Sequence, residues 1–359
     1  MKKRNGSIDF LRFVFAVIIM LHHSRYVVGY DSCVFAGGSL GVEFFFLVSG
    51  FLMAASAERA AKGPKTQSLG SETFQFLKRK ILPIYPEFLI GWLIGLFVMI
   101  FAHHLRGAAI IKSIGKWIFE PLLLEMTGLF TGGFDGVVWY IGAMLLCMAL
   151  LYPLLRRYPD MMKKVAAPIF AVLLYGFLCQ NYSHPRDPAV WTGLVMKGNI
   201  RAMADLLLGV VSWQFCGHLK ALPLNRLGQA LCLFAEILLY GAVIVYMYTQ
   251  IPTNWDYLFI LLLFLAVTLS FSGQALGSSL FDNAVSRWLT RYSTALYFGH
   301  LYIATNMDVI MQSGTGAERI GVYAALAFLN GLIVMALASL YRRMKPAAGR
   351  ILRRAFLIR

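Results

Sequence analysis

The chain has 359 residues, of which 59% are hydrophobic and 14% charged, and its mean hydropathy is +0.67. Ordinary soluble domains are about 45–50% apolar and about 25% charged, so this composition excludes the soluble globular class. Basic residues outnumber acidic ones by 33 to 17, for a formal net charge of +16. On a soluble chain that excess would indicate nucleic-acid binding. In a membrane protein the basic residues instead indicate which loops lie on the cytoplasmic side of the membrane. The five cysteines form no CxxC pair, so neither a disulfide scaffold nor a zinc site is indicated.

Ten apolar segments are long enough to cross a bilayer, since a span needs about 20 mostly apolar residues for about 30 Å of hydrocarbon. The predicted spans are residues 8–29, 38–57, 82–102, 137–155, 165–182, 202–217, 227–249, 257–274, 288–311 and 320–341. The stretch from Lys112 to Phe130 is apolar but carries Lys116, Glu120 and Glu125. We interpret it as an interfacial or re-entrant helix. The sequence therefore predicts an all-α polytopic membrane protein with about ten transmembrane helices plus one interfacial or re-entrant helix.

The basic residues predict the orientation of these spans. With an even number of spans both termini lie on one side, and placing Lys2, Lys3 and Arg4 in the cytoplasm puts 24 of the 33 basic residues there. Eight fall outside and Arg12 lies within the first span, so the positive-inside rule is satisfied. We expect a multi-pass protein of the cell (inner or plasma) membrane, with a transmembrane domain over residues 1–343 and a basic cytoplasmic tail over 344–359. No nucleic-acid partner is required.

The first apolar run could be mistaken for a signal peptide, because a basic start precedes it. It is too long for the apolar region of a signal peptide, and Arg12, His22 and His23 interrupt it. We therefore predict that this segment is retained as a transmembrane helix.

Ionisable side chains within a bilayer are costly, so each is a candidate for a functional site. Arg12 and His23 are 11 residues apart, which is about 1100° of helical rotation and about 16 Å along the axis. They therefore share a face of the first helix, with Arg12 near the cytoplasmic end and His23 in the outer half. His22 points elsewhere. The alternative is that Arg12 snorkels to the interface and His23 makes a structural hydrogen bond.

Glu43 enters the second span from its outer end, at a depth similar to that of His23. A histidine and a carboxylate at one level can act as a base and the group that orients it. The alternative is that Glu43 only pairs with a basic group, which lowers the cost of burying it. Gly50 shares a face with Glu43 and predicts close approach of another helix.

Three consecutive cations, Lys78, Arg79 and Lys80, precede the third span. At a cytoplasmic helix start they could receive phosphate groups, although an ordinary positive-inside anchor has the same pattern. On the ninth span Ser293, Tyr297 and His300 follow i, i+4, i+7 and line one face. A lone histidine at mid-membrane, such as His300, is also compatible with a packing hydrogen bond.

The sequence resembles the acyltransferase-3 family of integral membrane O-acyltransferases over essentially its whole length. The segments that carry the resemblance are Ile8-Asp9-Phe10-Leu11-Arg12, His22-His23, Gly41-Val42-Glu43-Phe44-Phe45-Phe46, Ser49-Gly50-Phe51, Lys78-Arg79-Lys80, Ile84-Tyr85-Pro86, Trp139-Tyr140-Ile141 and the Ser293, Tyr297, His300 stretch. Two positions depart from the family pattern. Pro83 stands where the family often has another arginine, and Thr294 replaces the usual tyrosine after the serine.

The resemblance implies an activity and assigns residues to it. Members of this family move an acyl group, commonly acetyl, from cytoplasmic acyl-CoA to a hydroxyl of an extracytoplasmic glycan or lipid. His23 matches the essential histidine and Arg12 the basic residue of the motif. The site expected from the resemblance and the spacing comprises catalytic His23 and Glu43, coenzyme-binding Arg12, Lys78, Arg79 and Lys80, and substrate-binding Trp139, Tyr297 and His300.

The expected partners are the lipid bilayer, acyl-CoA (most commonly acetyl-CoA) as co-substrate, and a glycan or glycolipid acceptor, with no metal. The acceptor stays open among surface polysaccharides, lipid-linked precursors, glycolipids and antibiotic glycosides. The main alternative function is a multispanning secondary transporter or glycolipid flippase. Such proteins commonly carry inverted repeats, and no repeat is visible in this sequence.

Overall fold

The computed structural model describes residues 5–64, 67–129 and 133–356. Lys2, Lys3 and Arg4, on which the predicted orientation partly depends, lie outside the described residues. The structure is 76% helical, and the described residues form no sheet. The predicted all-α polytopic class is confirmed.

Twelve helices of ten or more residues make up the described part of the chain. They are α1 (Gly6–His22), α2 (Gly41–Ala61), α3 (Leu69–Ile81), α4 (Tyr85–Ala102), α5 (Ala108–Trp117), α6 (Trp139–Arg157), α7 (Ala167–Asn181), α8 (Lys197–Lys220), α9 (Arg226–Thr249), α10 (Asp256–Ser272), α11 (Ala284–Gly299) and α12 (Gly316–Phe356). Shorter helical segments are Arg25–Val28, Tyr30–Ser32, Gly38–Leu40, Glu125–Thr127, Gly136–Val138, Pro159–Met161, Met162–Ala166, Leu301–Ala304 and Met307–Ile310.

Eight helical segments of the described chain are long and apolar enough to cross a membrane. The predicted span 202–217 lies within α8, which is longer, with 24 residues. The other two predicted spans are shorter helices. The span 257–274 corresponds to α10, with 17 residues. The span 288–311 corresponds to α11, which ends at Gly299, so the chain continues in two one-turn helices.

The predicted interfacial helix over residues 112–130 is only partly helical. Helix α5 starts earlier, at Ala108, and ends at Trp117. Pro121 has no N–H for a helical hydrogen bond, and Gly128 adopts a positive φ of 81°, so the segment turns instead of continuing. Glu120 folds inward, where the Trp92 indole donates a hydrogen bond of 3.1 Å to it. The segment is a short helix followed by a turn that buries the Glu120 side chain.

Helix α1 lies between α2 and α11 and positions the site. Asn5 caps its start, since the Asn5 side chain accepts a hydrogen bond of 3.0 Å from the Ile8 N–H. The Phe15 and Phe44 rings stack at 4.3 Å between α1 and α2. We call the end of the bundle at which α1 starts the amino-terminal face, and the end at which it stops the far face.

Helices α2 and α8 approach each other through two glycines. A Cβ atom on Gly50 would lie 2.2 Å from the Leu206 carbonyl oxygen, and one on Gly209 would lie 2.4 Å from the Leu47 carbonyl oxygen. No side chain fits at either position, so the two backbones are in contact. The close approach predicted at Gly50 is confirmed, and the partner is α8.

Helices α7 and α9 lie at the edge of the bundle. Their apolar side chains are largely exposed, as at Phe170, Val172, Phe234 and Ile237. Apolar faces of this size are what lipid tails cover in a membrane protein. The polar site therefore lies in the interior, around α1, α2, α6, α8 and α11.

Candidate active site

His23 follows directly after α1 and contacts a second histidine. Its Nδ1 lies 2.9 Å from Nε2 of His300. His300 is fully buried at the end of α11, and its Nδ1 lies 3.0 Å from the Leu296 carbonyl oxygen. The break in the ninth predicted span therefore coincides with the residue that meets α1.

These two contacts determine which nitrogens carry protons. A carbonyl oxygen only accepts, so Nδ1 of His300 carries its proton and donates to Leu296. A neutral imidazole has one N–H, so Nε2 of His300 is an acceptor and receives a hydrogen bond from the protonated Nδ1 of His23. Nε2 of His23 is then the nitrogen with the lone pair. This is the tautomer required of a base.

The catalytic assignment expected Glu43 to contact His23. Glu43 forms an ion pair with Arg201 instead. Its two carboxylate oxygens accept from Nε and Nη2 of Arg201 at 2.5 and 2.7 Å, and both side chains are buried. The guanidinium also donates to the Ser39 carbonyl at 2.9 Å and lies 5.1 Å from the centre of the Trp139 ring. The alternative interpretation, a carboxylate paired with a base to lower its burial cost, describes this geometry.

His22 also has a structural position. Its Nδ1 donates to the Phe35 carbonyl at 2.9 Å, and its Nε2 accepts from the Arg25 guanidinium. The side chain is buried. His22 therefore ties the end of α1 to the following loop, as expected for a residue on a different side of the helix from His23.

A cavity of about 670 Å³ opens at the amino-terminal face, and we call it the amino-terminal cavity. Its charged lining side chains are Asp9, Arg12, Arg59, Lys220 and Asp282. Arg12 lies 3.9 Å from the Asp9 carboxylate and is about a quarter exposed. The cavity has an excess of basic groups at its wall and is in the size range of cofactor sites.

A smaller cavity of about 200 Å³, the middle cavity, lies deeper in the bundle. Its polar lining side chains are Arg12, Ser49, Lys80, Tyr140, Thr290, Ser293, Thr294 and Tyr297. Arg12 lines both this cavity and the amino-terminal one. The basic end of α1 therefore stands where the two spaces meet.

A third cavity, of about 400 Å³, lies at the far face, and we call it the far cavity. Its lining includes His22, His23, Arg25, Tyr26, Ser39, Trp139, Arg186, Asp187, Arg201 and Tyr297. Tyr297 lines both the far and the middle cavity, and its hydroxyl donates to the Val137 carbonyl at 2.7 Å. This one ring thus lies between the space that contains His23 and the space that contains Arg12 and Lys80.

The three consecutive cations are not at a helix start, and the prediction that they lie there is wrong. Lys78, Arg79 and Lys80 occupy the last turn of α3, a separate helix that ends before the span α4 begins. The cations stabilise that helix end, where carbonyl groups are unpaired. The separate helix forms because the chain turns at Pro83, before the span begins.

The three side chains also diverge. Lys80 lines the middle cavity, and its burial, together with the charges of Arg12 and Arg59, lowers its pKa to about 8. Arg79 lies in a surface groove beside Glu72. Lys78 is exposed and is not among the lining side chains of the three cavities. Lys80 alone of the three joins Arg12.

Sequence reasoning missed several charged residues that the fold brings to these cavities. Arg59 and Lys220 join Arg12 at the amino-terminal cavity, and Arg186 and Arg201 join His23 at the far cavity. No local motif marks them. Arg201 could have been found as a cation that directly precedes the predicted span 202–217, four residues before Asp205. Within residues 5–64, 67–129 and 133–356, no group of three or more His, Cys, Asp or Glu side chains is arranged to hold a metal ion.

Comparison with known proteins agrees with this architecture. No curated protein and no solved structure matches the chain. A family profile described as an acyltransferase domain matches residues 5–340, nearly the whole chain. The match extends over all three cavities and both histidines. The chain therefore belongs to the acyltransferase-3 family and is a membrane-embedded acyltransferase.

Proposed function

We propose that the protein is an O-acyltransferase that uses cytoplasmic acyl-CoA, most commonly acetyl-CoA, to acylate a hydroxyl of a cell-surface glycan or glycolipid. The observation that carries the proposal is the pair of cavities at opposite ends of α1. One has a basic wall suited to a polyanionic donor, and the other contains a histidine in the tautomer of a base. The amino-terminal face is cytoplasmic in this proposal, and both termini lie there.

The donor binds through its phosphates at the amino-terminal face. Arg12, Arg59 and Lys220 provide positive charge at the mouth, and Lys80 provides it deeper, in the middle cavity. Arginine forks bind phosphate oxygens in pairs, and lysine acts as a point charge. The nucleotide end of acyl-CoA therefore stays at the rim while its thioester arm extends along the middle cavity toward Tyr297.

The reacting groups meet where Tyr297 separates the middle from the far cavity. The acceptor hydroxyl enters the far cavity beside His23, and the thioester carbonyl reaches it past the tyrosine ring. Trp139 lines the far cavity and offers an apolar face to a sugar ring. The Tyr297 ring closes the junction until the donor is bound and then moves to open it. The closed ring keeps water in the far cavity away from the thioester.

The chemistry is acyl transfer with a general base. Nε2 of His23 takes the proton from the acceptor hydroxyl as its oxygen attacks the thioester carbonyl carbon, and a tetrahedral intermediate forms. Its collapse breaks the carbon–sulfur bond and releases CoA thiolate, which receives the proton from the His23 imidazolium. The products are an ester and free CoA. His300 orients His23 by accepting the hydrogen bond from its Nδ1. In this respect His300 takes the place of the carboxylate of a catalytic triad.

The test is CoA release and ester formation by native membrane vesicles supplied with labelled acetyl-CoA, for the wild type and for His23→Gln. General-base catalysis typically contributes about 10²- to 10⁴-fold, so His23→Gln should lower turnover by about that factor without changing the KM for acetyl-CoA. In cells that carry His23→Gln, mass spectrometry should show surface glycans without the mass increment of the transferred acyl group.

The matched control is His103→Gln, because His103 is an exposed histidine at the far-face end of α4. His22→Gln is not a neutral control, since it removes the hydrogen bonds to Phe35 and Arg25. If His103→Gln and His23→Gln reduced turnover equally, the assignment of the base would be wrong.

A further inference from the structure

The far cavity contains an arginine whose hydrogen-bonding edge has no partner. Arg186 lines this cavity, and 6% of its surface is exposed. Its Nε and Nη2 are buried, and neither has a hydrogen-bond partner. Buried donors of a charged group are almost always paired, since an unpaired one costs the full desolvation penalty of the group.

Two other arginines of this protein bind a carboxylate through the same Nε–Nη2 edge. Nε and Nη2 of Arg201 bind the two oxygens of Glu43 at 2.5 and 2.7 Å. Nε and Nη2 of Arg156 bind the two oxygens of Glu72 at 2.5 and 2.9 Å. This fork matches a carboxylate or phosphate, which offers two oxygens in one plane. Arg186 has the same fork without the oxyanion.

The charges around Arg186 leave the far cavity positive. Arg25 and Arg186 lie on its wall with one acid, Asp187, which is exposed to solvent. Arg25 donates to the neutral His22 and to the Tyr26 hydroxyl, so its charge is not cancelled by an acid in these contacts. Asp256, which also lies near Arg186, accepts from the Tyr246 hydroxyl at 2.8 Å.

A further buried acid, Asp135, precedes the wall segment that begins at Gly136. Burial, with the charges of Glu120 and Glu125, raises the pKa of Asp135 well above its usual range. This shift weakens the negative charge that Asp135 can set against the arginines. The side chains that line the far cavity therefore carry more positive than negative charge.

One aromatic side chain is in a position to admit a ligand. The Tyr30 ring lies 5.5 Å from the Arg186 guanidinium carbon and 5.2 Å from that of Arg25. Tyr30 is 46% exposed and interacts with Arg186, so it is the side chain that a ligand entering between the two cations would displace.

We propose that the far cavity binds an oxyanion of the acceptor through the Nε–Nη2 edge of Arg186, with Arg25 as the second cation. This inference rests on the proposed function and narrows it: the acceptor carries an acidic group close to the hydroxyl that is acylated. The acidic group is a phosphate, as in a lipid-linked precursor, or a carboxylate, as in an acidic sugar. The same chemistry recognises both.

The experiment measures binding of three soluble probes to the full chain in lipid nanodiscs: glucose 1-phosphate, glucuronic acid and glucose. At least one charged probe should bind about tenfold or more tightly than glucose, since charge-assisted bidentate contacts are the strong ones. Binding of glucose 1-phosphate alone identifies a phosphate-bearing acceptor, and binding of glucuronic acid identifies a carboxylate-bearing one. Equal affinity for all three probes would overturn the proposal.

Variants assign the effect to the fork. Arg186→Gln should abolish the preference for the charged probe, and Arg186→Lys should retain only part of it, because lysine keeps the charge and loses the paired geometry. The matched control is Arg106→Gln, an exposed arginine just beyond the far-face end of α4. A preference that survives in Arg186→Gln, or is lost equally in Arg106→Gln, contradicts the assignment.

Binding of CoA to the same samples separates this inference from the proposed function. CoA binds at the opposite face, so Arg186→Gln should leave its affinity unchanged, and that result also establishes that the variant is folded. If CoA binds and the probes are not distinguished, the acidic acceptor is wrong and the donor assignment stands. If charged probes bind through Arg186 but CoA does not bind, the proposed function fails instead.

Discussion

At the scale of single residues, Nδ1 of His23 donates its hydrogen bond to Nε2 of His300, a residue 277 positions away along the chain. A carboxylate in that place would stabilise an imidazolium strongly, whereas a neutral histidine fixes the tautomer and adds no charge. Glu43, the carboxylate expected to orient His23, is paired with Arg201 instead. His23 and Glu43 thus have different partners, so in the proposed function the chemical role belongs to His23 and Glu43 has a structural one.

Replacing His300 should disturb orientation more than binding. In His300→Phe the Nδ1 proton of His23 loses its histidine acceptor, so the wrong tautomer becomes more populated and kcat should fall while the KM for acyl-CoA stays the same. His300→Asn provides an amide oxygen as acceptor and should recover part of kcat. Steady-state kinetics of the two variants checks this. A purely structural role would give equal losses in both variants, with no rescue by asparagine.

Replacing Glu43 should act mainly on stability. Glu43→Gln leaves the buried Arg201 without its counter-charge, and breaking a buried ion pair costs roughly 3–5 kcal/mol. Thermal unfolding of the protein in nanodiscs should therefore shift to clearly lower temperature. The double variant Glu43→Gln with Arg201→Gln should regain much of the loss, because neither member of the pair is then a buried charge without its partner. An unchanged unfolding temperature with lost turnover would return Glu43 to a catalytic role.

At the scale of helices, close backbone contact holds the site together. Helix α2 carries Glu43 and α8 carries Arg201, and the two helices meet through Gly50 and Gly209. In a membrane such small-residue contacts take the place of hydrophobic burial, because lipid is as apolar as the helix surface. The glycines bring α2 and α8 close together, and these are the same two helices that carry the Glu43–Arg201 ion pair.

Gly50→Ala should separate these helices. Its Cβ would lie 2.2 Å from a backbone oxygen of α8, which cannot move independently of its helix. We expect lower thermal stability and reduced turnover, measured on detergent-purified protein. Gly176→Ala is the matched control, since a Cβ at Gly176 on α7 meets nothing within 4 Å and alanine favours a helix by about 1 kcal/mol over glycine. Equal effects of the two substitutions would mean that the α2–α8 contact is not needed.

The last turn of α3 offers a comparison between neighbouring lysines. Lys80→Ala should weaken CoA binding by about 10- to 100-fold, the range for a charge-assisted hydrogen bond worth roughly 1.5–3 kcal/mol. Lys78→Ala, two positions away and exposed, should change it little. Because the pKa of Lys80 in the free protein is lowered to about 8, the lysine loses its charge as pH rises through that value, and CoA affinity should fall there.

Isothermal titration across this pH range is the measurement, and Lys80→Arg serves as the second variant. Arginine stays charged throughout, so its affinity should be nearly independent of pH. A wild-type affinity that does not change through pH 8, or an equal effect of Lys78→Ala, would remove Lys80 from the donor site.

Much of this organisation could be predicted from the sequence, where the physical cause is local. Apolar length predicted the membrane helices, and the helical repeat predicted that His23 and His22 face different surroundings. The partners of Glu43 and His23 could not be predicted, because they depend on how α8 and α11 pack against α2 and α1. The prediction for Lys78, Arg79 and Lys80 is wrong because it includes Pro83 and Pro86 in the span, whereas the chain turns there and α3 is a helix of its own.

At the scale of the whole molecule, the three cavities lie in sequence from one face to the other. Arg12 is common to the first two and Tyr297 to the last two. In the proposed function this order separates a hydrophilic donor from an acceptor on the opposite side of the membrane, and only the acyl group crosses the boundary. Fusions of a reporter after Tyr182 and after Lys345 should accordingly report outside and inside.

The most direct test of the central claim is a sided transfer measurement in native membrane vesicles of known orientation. Labelled acetyl-CoA is supplied on one side only, and labelled ester is measured on glycans exposed at the other. The account predicts transfer when acetyl-CoA is at the amino-terminal face, no transfer when it is at the far face, and loss of transfer in His23→Gln but not in His103→Gln. Equal transfer from both faces, or full transfer in His23→Gln, would contradict it.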